Sequence, residues 1–181
     1  MANLTRLSKF LSLMLRHKAV EFGLSLDSEG FTTLDSVWQQ IQKRYPDQYT
    51  MQDLNTLLEK SPDGKQRFEV IQGRIRALYG HSSVPEIEYP AVEPPEILYH
   101  GTTPQALASI REHGLNSQQR QYVHLSTDTE RASTVAGRRG KPVLLVIRAK
   151  AAHAAGLIFH HPEPKHYLVK AIPPEFIEFP E

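Results

Sequence analysis

Two short segments place a histidine near the end of an apolar strand and follow it with small or hydroxyl residues. They are "LYHGTT" (98–103) and "YVHLST" (122–127). An imidazole edge, a hydroxyl group and the backbone N–H groups beside a glycine are groups that hold a ribose and a pyrophosphate. The common nucleotide-binding loops, G-x-x-x-x-G-K-[ST] and G-x-G-x-x-G, are absent. Either histidine alone fits a half-buried residue held by backbone hydrogen bonds, but His100 and His124 in the same context favour a shared nucleotide cleft.

Basic side chains form three groups that could bind phosphate. They are Arg16, His17 and Lys18; Lys65 and Arg67 with Arg74 and Arg76; and Arg138, Arg139 and Lys141. Residues two apart on a strand face the same way, and paired cations on one face suit a phosphate. A solvated hairpin face explains the second group equally well. The first and third groups also fit the end of a helix, where cations offset the dipole.

The composition excludes several classes of protein. The chain has 181 residues, no cysteine and a formal net charge of +1. Disulfides, thiolate metal sites and a cysteine nucleophile are therefore ruled out, and any nucleic acid must be bound by local charge. The nine histidines form no H-E-x-x-H motif, so we expect no metal site. No apolar run approaches ~20 residues and no signal peptide is evident, so we expect a cytoplasmic protein that does not contact a membrane. We also expect a monomer.

Residues 1–82 show three helical patterns followed by a hairpin pattern. Apolar residues recur at helical spacing in 7–19, 30–45 and 50–61. Thr33 or Asp35 could cap the second helix, and Thr50 with Asp53 the third. The β-rich runs "RFEVI" and "RIRALY" flank Gln72-Gly73, which predicts a tight turn. This order predicts a winged-helix lobe, a shape that commonly binds nucleic acid without establishing that function.

Residues 83–96 separate this lobe from a second one. The stretch 82–97 contains four prolines and four glutamates and shows no helical period, which predicts a semi-extended linker. Residues 97–181 contain many short strands and two helices, one ending at Gly114 and one beginning after Asp128. The predicted fold class is therefore α+β, with a split β-sheet in the second lobe.

Six of these motifs occur together in one order and spacing. They are "FLSLMLRHK", "GKQRF", "RIRALYGHS", "LYHGTT", "YVHLS" and "AGRRGKPVLL". From about residue 7 to 180 the chain resembles the tRNA 2′-phosphotransferase family, NAD-dependent enzymes that remove an RNA 2′-phosphate. The resemblance implies a winged-helix RNA-binding lobe at 1–82, a linker at 83–96 and an ADP-ribosyltransferase-like NAD-binding lobe at 97–181.

The resemblance also implies roles for individual residues. The implied catalytic residues are Arg16, His17, Arg67 and Arg139. The implied phosphate- and RNA-binding residues are Lys18, Lys65, Arg76, His81 and Ser82. The implied NAD-binding residues are His100, Gly101, Thr102, His124, Leu125 and Ser126.

The sequence departs from the family pattern at three places. "AGRRGKP" is one residue shorter than usual before its second glycine, so Arg138 is the alternative to Arg139. Tyr79 stands where glutamine is usual. "KHYLVKAI" replaces a tryptophan-containing segment, which makes Leu168 a candidate for the third member of the family's His-His-hydrophobic set.

The implied reaction transfers an internal RNA 2′-phosphate to NAD in two steps. An ADP-ribosylated RNA 2′-phosphate forms first and nicotinamide is released; RNA with a 2′-hydroxyl and ADP-ribose 1″,2″-cyclic phosphate follow. The implied partners are NAD and RNA, with tRNA and its splicing and processing as the implied setting. Two alternatives remain open, namely an ADP-ribosyltransferase acting on terminal nucleic-acid phosphates or a protein, and a non-catalytic winged-helix binding protein.

Overall fold

The chain combines helices and β-sheets in an α+β fold. The structure is a computed structural model that describes residues 3–59, 65–82, 84–137 and 141–180. Two compact units make up the chain, residues 1–88 and residues 89–181. Within the described residues, no helix combines the length and the apolar character needed to span a bilayer.

Three capped helices supply most of the core of the first unit. The Thr33 hydroxyl accepts a hydrogen bond from Ser36 N, and Thr50 and Asp53 form a reciprocal capping box, so both predicted caps are confirmed. Each helix then turns its apolar side inward, with Leu11, Val37 and Leu54 fully buried. The helices are α1 (Leu4–Ser12), α2 (Leu34–Arg44) and α3 (Met51–Leu58).

A small antiparallel sheet closes this core. In the described part of the first unit it has three strands, ordered β1-β3-β2, and its bounds are β1 (Thr32–Thr33), β2 (Phe68–Ile71) and β3 (Arg74–Ala77). The predicted hairpin turn is confirmed, since Gln72 and Gly73 have φ of 49° and 73°. Two successive positive φ values match the right-handed twist of paired strands. Phe68 and Ile75 are fully buried against the helices.

The second unit is built on a larger antiparallel sheet. In its described residues the strand order is β12-β8-β5-β7-β10-β9-β4, and a separate pair joins β11 to β6. The strands are β4 (Ala91–Val92), β5 (Leu98–Thr102), β6 (Leu115–Asn116), β7 (Val123–Ser126), β8 (Val143–Ile147), β9 (Phe159–Glu163), β10 (His166–Val169), β11 (Ala171–Ile172) and β12 (Ile177–Glu178). The helices are α4 (Leu107–His113), α5 (Thr129–Gly137) and α6 (Ala149–Ala154).

Local signals explain several boundaries in this unit. Gly114, at φ 74°, ends α4 as the sequence predicts. Asp128 Oδ1 accepts a hydrogen bond from Arg131 N and thereby caps α5. The segment predicted as a linker differs from the structure at Ala91–Val92, which pairs with β9. A two-residue strand between prolines carries too short a pattern to distinguish it from an extended linker.

Candidate functional site

The first candidate site begins where α1 changes its winding. Leu13–His17 form a π-helical turn, in which Lys18 N donates to Leu13 O at 2.9 Å. A π turn inserts one residue into a helix, and such turns are frequent at functional sites. Met14 and Leu15 are fully buried and anchor the turn in the core of the first unit. The next two residues, Arg16 and His17, are half-buried.

Aromatic rings hold the Arg16 guanidinium. Its central carbon lies 5.0 Å from the centroid of the Tyr79 ring and 5.6 Å from that of Phe68. Both distances are within the range of a cation–π interaction. Because the two rings are buried and uncharged, they restrict the guanidinium without neutralising its positive charge. A guanidinium fixed in this way can offer two parallel N–H groups to a phosphate.

Ser82 connects the π turn to the segment after β3. Its backbone N–H donates to Arg16 O at 2.9 Å, and its Oγ lies 2.7 Å from Nδ1 of His17. One serine therefore fixes the backbone of Arg16 and the ring of His17. With Nδ1 occupied, any proton exchange between His17 and a ligand would use Nε2.

His81 reports the electrostatic character of this region. Burial is the main cause that lowers the pKa of His81 to about 3, and the positive charges of Arg16, His17 and Arg76 lower it further. The ring is 2% exposed and therefore neutral at physiological pH. The Arg16 guanidinium beside this buried neutral ring gives this part of the first unit a positive charge that favours an anion.

The other predicted phosphate ligands differ in their surroundings. Lys18 is exposed and pairs with Glu21 at 3.0 Å, and Arg76 pairs with Glu69 at 2.7 Å. Lys65 is half-buried, and Arg67 is exposed just before β2. The ion pair of Arg76 with Glu69 is compatible with both interpretations of the hairpin cations, a solvated hairpin face and a phosphate-binding surface. Arg138 and Arg139, the alternatives for the fourth catalytic position, lie outside the described residues.

The second candidate site lies where β5 and β7 meet in the second unit. These strands pair at Tyr99 and Ser126, and next to that pair the His100 ring donates from Nδ1 to His124 O at 2.9 Å. Burial lowers the pKa of His100, although the bond to the His124 carbonyl opposes that effect. The His100 ring is therefore neutral with its proton on Nδ1, and Nε2 carries a lone pair.

Gly101 is required by helix packing. A Cβ at this position would lie 1.9 Å from the carbonyl oxygen of Ala132 in α5 and 3.0 Å from Ala136 Cβ. The resemblance assigns Gly101 to NAD binding, and that role stays a prediction. The structure adds a packing reason for glycine, since a side chain would collide with α5.

Leu125 and Ser126 have structural partners in the second unit. Leu125 is buried in the core. The Ser126 hydroxyl donates to Lys165 O at 3.1 Å and accepts from Asp128 N at 3.0 Å, which fixes the start of α5. Thr102 is half-buried at the end of β5, and Leu168 is buried opposite His124 in the register of β10 and β7. A role for these side chains in NAD binding stays a prediction.

Two residues near His124 were not selected from the sequence. Nε2 of His166 lies 2.8 Å from Nδ1 of His124, and Glu163 lies behind His166. Nothing in the local sequence distinguishes them from ordinary polar residues at the ends of short strands. Among the described residues, no group of three or more histidines or carboxylates is placed to hold a metal ion.

Comparisons with known proteins agree over nearly the whole chain. The family model described as "RNA 2′-phosphotransferase, Tpt1 / KptA family" matches residues 2–171. A "Probable RNA 2′-phosphotransferase" of Acetivibrio thermocellus is 41% identical over 185 residues, covering 97% of this chain and 96% of the relative. Proteins of the same description from Pectobacterium atrosepticum and Nostoc punctiforme are 40% and 37% identical, and each alignment covers at least 96% of both chains.

Proposed function

The chain belongs to the RNA 2′-phosphotransferase, Tpt1 / KptA family, and from this premise we propose that it transfers an internal RNA 2′-phosphate to NAD. The proposed products are RNA with a 2′-hydroxyl, nicotinamide and ADP-ribose 1″,2″-cyclic phosphate. The observation that carries the proposal is the group of Arg16, His17 and neutral His81 at the π turn.

The surroundings of Arg16 support its role as a phosphate ligand. A phosphate monoester is an anion with two or more oxygens available for parallel hydrogen bonds, which is the geometry that a guanidinium matches. Arg16 is already restricted by Tyr79 and Phe68, so little side-chain entropy would be lost when the phosphate binds. His17, held by Ser82, is the proposed proton donor to the leaving RNA oxygen.

The topology of the first unit supports a winged-helix RNA-binding lobe. Its order is α1, β1, α2, α3 and then the hairpin of β2 and β3, with β1 pairing to β3. In this proposal the exposed Arg67 before β2, together with Lys65, contacts the RNA near its 2′-phosphate. Arg139 is the proposed fourth cation.

His100 and His124 support an ADP-ribosyltransferase-like NAD site in the second unit. They lie on adjacent strands. Beside the backbone pair of β5 and β7, Tyr99 with Ser126, the His100 side chain donates a hydrogen bond to the His124 carbonyl. The neutral His100 ring offers a lone pair at Nε2, which suits a ribose hydroxyl as donor. When bound, NAD would supply a ribose carbon with nicotinamide as its leaving group.

The first step of this reaction needs little from a general base. An RNA 2′-phosphate has a second pKa of about 6 and is therefore largely dianionic at neutral pH. One of its oxygens attacks the ribose carbon, the carbon–nitrogen bond breaks, and nicotinamide leaves with the bonding electrons. The residues of this chain contribute mainly by holding the phosphate in position.

The second step places new charge on the phosphoryl group. A ribose hydroxyl gives up its proton and attacks phosphorus, the bond to the RNA 2′-oxygen breaks, and that oxygen takes a proton, so the number of protons is conserved. Arginines directed at the phosphoryl oxygens lower this barrier, each by about 3 kcal/mol as for other preorganised donors. Arg16, Arg67 and Arg139 have this role in the proposal, and His17 supplies the proton.

One incubation tests the proposed function. The protein is mixed with NAD and a short labelled RNA that carries one internal 2′-phosphate, and both RNA dephosphorylation and nicotinamide release are followed. We expect equal amounts of the two products. The controls are the same RNA with a 2′-hydroxyl and the same reaction without NAD, and both should be inactive.

Two outcomes would replace the proposal. Nicotinamide release with a stable ADP-ribosyl group on an RNA end would indicate an ADP-ribosyltransferase that acts on terminal phosphates. RNA binding with no consumption of NAD would indicate a binding protein whose second unit is not catalytic.

A further inference from the structure

His124 is one member of a continuous series of polar contacts in the second unit. Nη1 of Arg120 lies 3.3 Å from its Nε2, and Nε2 of His166 lies 2.8 Å from its Nδ1. Nδ1 of His166 in turn lies 3.3 Å from Oε1 of Glu163. We call Arg120, His124, His166 and Glu163 the His124 series. The residues come from β7, β9, β10 and the loop before β7.

The chemistry of the two ends fixes the proton positions in this series. A guanidinium only donates hydrogen bonds, so Nε2 of His124 must be the acceptor and its proton must lie on Nδ1. That Nδ1–H group points at His166 Nε2, which must therefore accept. The proton of His166 then lies on Nδ1, facing the Glu163 carboxylate. Each ring therefore carries one proton, on Nδ1: the His124 proton points at His166 Nε2, and the His166 proton points at the Glu163 carboxylate.

Burial keeps this arrangement neutral at the His166 ring. Burial lowers the pKa of His166, Glu163 opposes that effect, and the nearby charges of Arg131 and Arg120 lower the pKa further. The side chains of His166 and Glu163 are 6% and 1% exposed. Arg131 forms an ion pair with the Glu163 carboxylate, which makes a buried charge at that position tolerable.

We propose that His166 and Glu163 are positioning residues that hold His124 with its proton on Nδ1 and its Nε2 lone pair available to a hydroxyl group of a bound nucleotide sugar. This inference rests on the proposed function for the identity of that nucleotide, NAD. The exposed Arg120 donates to the lone pair in the present structure, and a ligand hydroxyl would take the place of that donor. His166 lies in "KHYLVKAI", the segment in which this chain departs from the family pattern.

In this proposal His166 and Glu163 control the tautomer and orientation of the His124 ring in addition to packing in the core. Without a fixed acceptor at Nδ1, the His124 ring would populate both tautomers and could turn about its side-chain bonds. A ring with its proton on Nε2 offers a donor instead of an acceptor, so the hydrogen of the ligand hydroxyl loses its acceptor and the hydroxyl must reorient, which weakens binding. The loss should therefore appear in the affinity for the nucleotide and less in the rate of the chemical steps.

Nitrogen NMR of the histidine side chains in the full chain tests the proton assignment directly. We expect the wild-type protein at pH 7 to show His124 with its proton on Nδ1 and His166 neutral with its proton on Nδ1. His124→Asn and His166→Gln spectra serve to assign the signals. A wild-type His124 protonated on Nε2, or a doubly protonated His166, would overturn the proposal without any functional measurement.

Two substitutions at His166 separate positioning from packing. Gln places an acceptor where His166 Nε2 lies, whereas Phe fills the space without one. We expect His166→Phe to lose the fixed His124 tautomer and to raise KM for NAD about tenfold with kcat changed less than threefold. His166→Gln should keep both within about threefold of wild type. Equal effects of the two substitutions on KM would show that His166 only fills space, and the proposal would fall.

A matched control comes from the neighbouring strand. His161 on β9 stacks on Tyr167 with ring centroids 4.3 Å apart and is outside the His124 series. His161→Phe preserves this stacking and should leave KM for NAD and the His124 signals unchanged. If His166→Phe does not fold, as judged by its melting curve, the wild-type spectrum and Glu163→Met decide. Met removes the acceptor that faces His166 Nδ1, so Glu163→Met must raise KM for NAD.

Failure of this proposal is distinguishable from failure of the proposed function. A wild-type protein that binds NAD but leaves the RNA 2′-phosphate in place would contradict the proposed function. The histidine spectra and the Kd for NAD would then still test the positioning role. A wild-type protein that does not bind NAD would overturn both the proposed function and the ligand assigned to His124.

Discussion

His17 and Ser82 are separated by 65 positions in the sequence, yet Nδ1 of His17 lies 2.7 Å from Oγ of Ser82. The same serine donates its backbone N–H to Arg16 O at 2.9 Å. This contact fixes the end of the π turn against the segment that follows β3. It gives Ser82, which the sequence assigned to RNA binding, a second role in orienting two predicted catalytic residues.

Ser82→Ala should lower kcat for RNA dephosphorylation about fivefold, because the His17 ring loses a hydrogen bond of about 1 kcal/mol that fixes its orientation. Ser82→Thr keeps the hydroxyl and should retain most of the activity. The measurement is steady-state turnover of the 2′-phosphorylated RNA at saturating NAD. Equal activity of Ser82→Ala and wild type would show that the contact does not orient His17 during turnover.

Arg16→Ala and Arg67→Ala should each reduce turnover about 100-fold or more, since each removes a donor worth about 3 kcal/mol to the phosphoryl group. The affinity for NAD should be unchanged, because the proposed NAD ligands are in the second unit. Arg16→Lys should also be strongly impaired, since an ammonium cannot make the planar bidentate contact. A comparable loss of NAD affinity in both alanine variants would contradict the assignment of phosphate and NAD to different units.

Arg139→Ala should accumulate the ADP-ribosylated RNA intermediate, because the second step develops charge that the first does not. Arg138→Ala should be less impaired. A gel of labelled 2′-phosphorylated RNA separates substrate, intermediate and product. Accumulation in Arg138→Ala alone would move the assignment by one residue, and accumulation in neither would transfer the role to another cation such as Lys65 or Lys141.

Gly101→Ala should destabilise the protein by at least the ~1–3 kcal/mol typical of overpacking, because the new Cβ would collide with the backbone of α5. Gly137 at the end of α5 is the matched control, since among the described residues no atom lies within 4 Å of a Cβ built there. Thermal unfolding should show a lower Tm for Gly101→Ala and a Tm equal to or above wild type for Gly137→Ala. An unchanged Tm in Gly101→Ala would contradict the packing role.

His81 should make the free energy of unfolding depend on pH below neutrality. Its pKa is lowered from 6.5 to about 3 in the folded protein, so between these values the unfolded chain binds the extra proton. Stability is then lost as pH falls from 6.5, with a slope approaching about 1.4 kcal/mol per pH unit from this group. His100 and His166 act in the same direction.

The difference between wild type and His81→Gln isolates the contribution of this residue. Denaturant unfolding at several pH values between 4 and 7 should show a shallower pH dependence in the variant, whatever its absolute stability. Parallel curves for the two proteins would show that His81 does not stay neutral in the folded state.

The local elements of this fold could be predicted because their causes are local. The capping box of Thr50 and Asp53, the turn at Gln72 and Gly73, and the helix end at Gly114 each depend on residues within a few positions of one another. Helical periodicity likewise identified the buried face of α1. The order of six short motifs was sufficient to place the chain in its family.

The surroundings of the candidate site residues depended on the tertiary structure. The sequence named Arg16, His17, His100 and His124, but not the π turn, the Tyr79 and Phe68 rings, Ser82 as the partner of His17, or His166 and Glu163 behind His124. It also did not reveal that a side chain at Gly101 would collide with α5. These features depend on distances between residues far apart in the chain and on the burial of each group. Side-chain spacing along a sequence specifies which face of a helix or strand a residue occupies, but contacts between elements are fixed only when those faces pack.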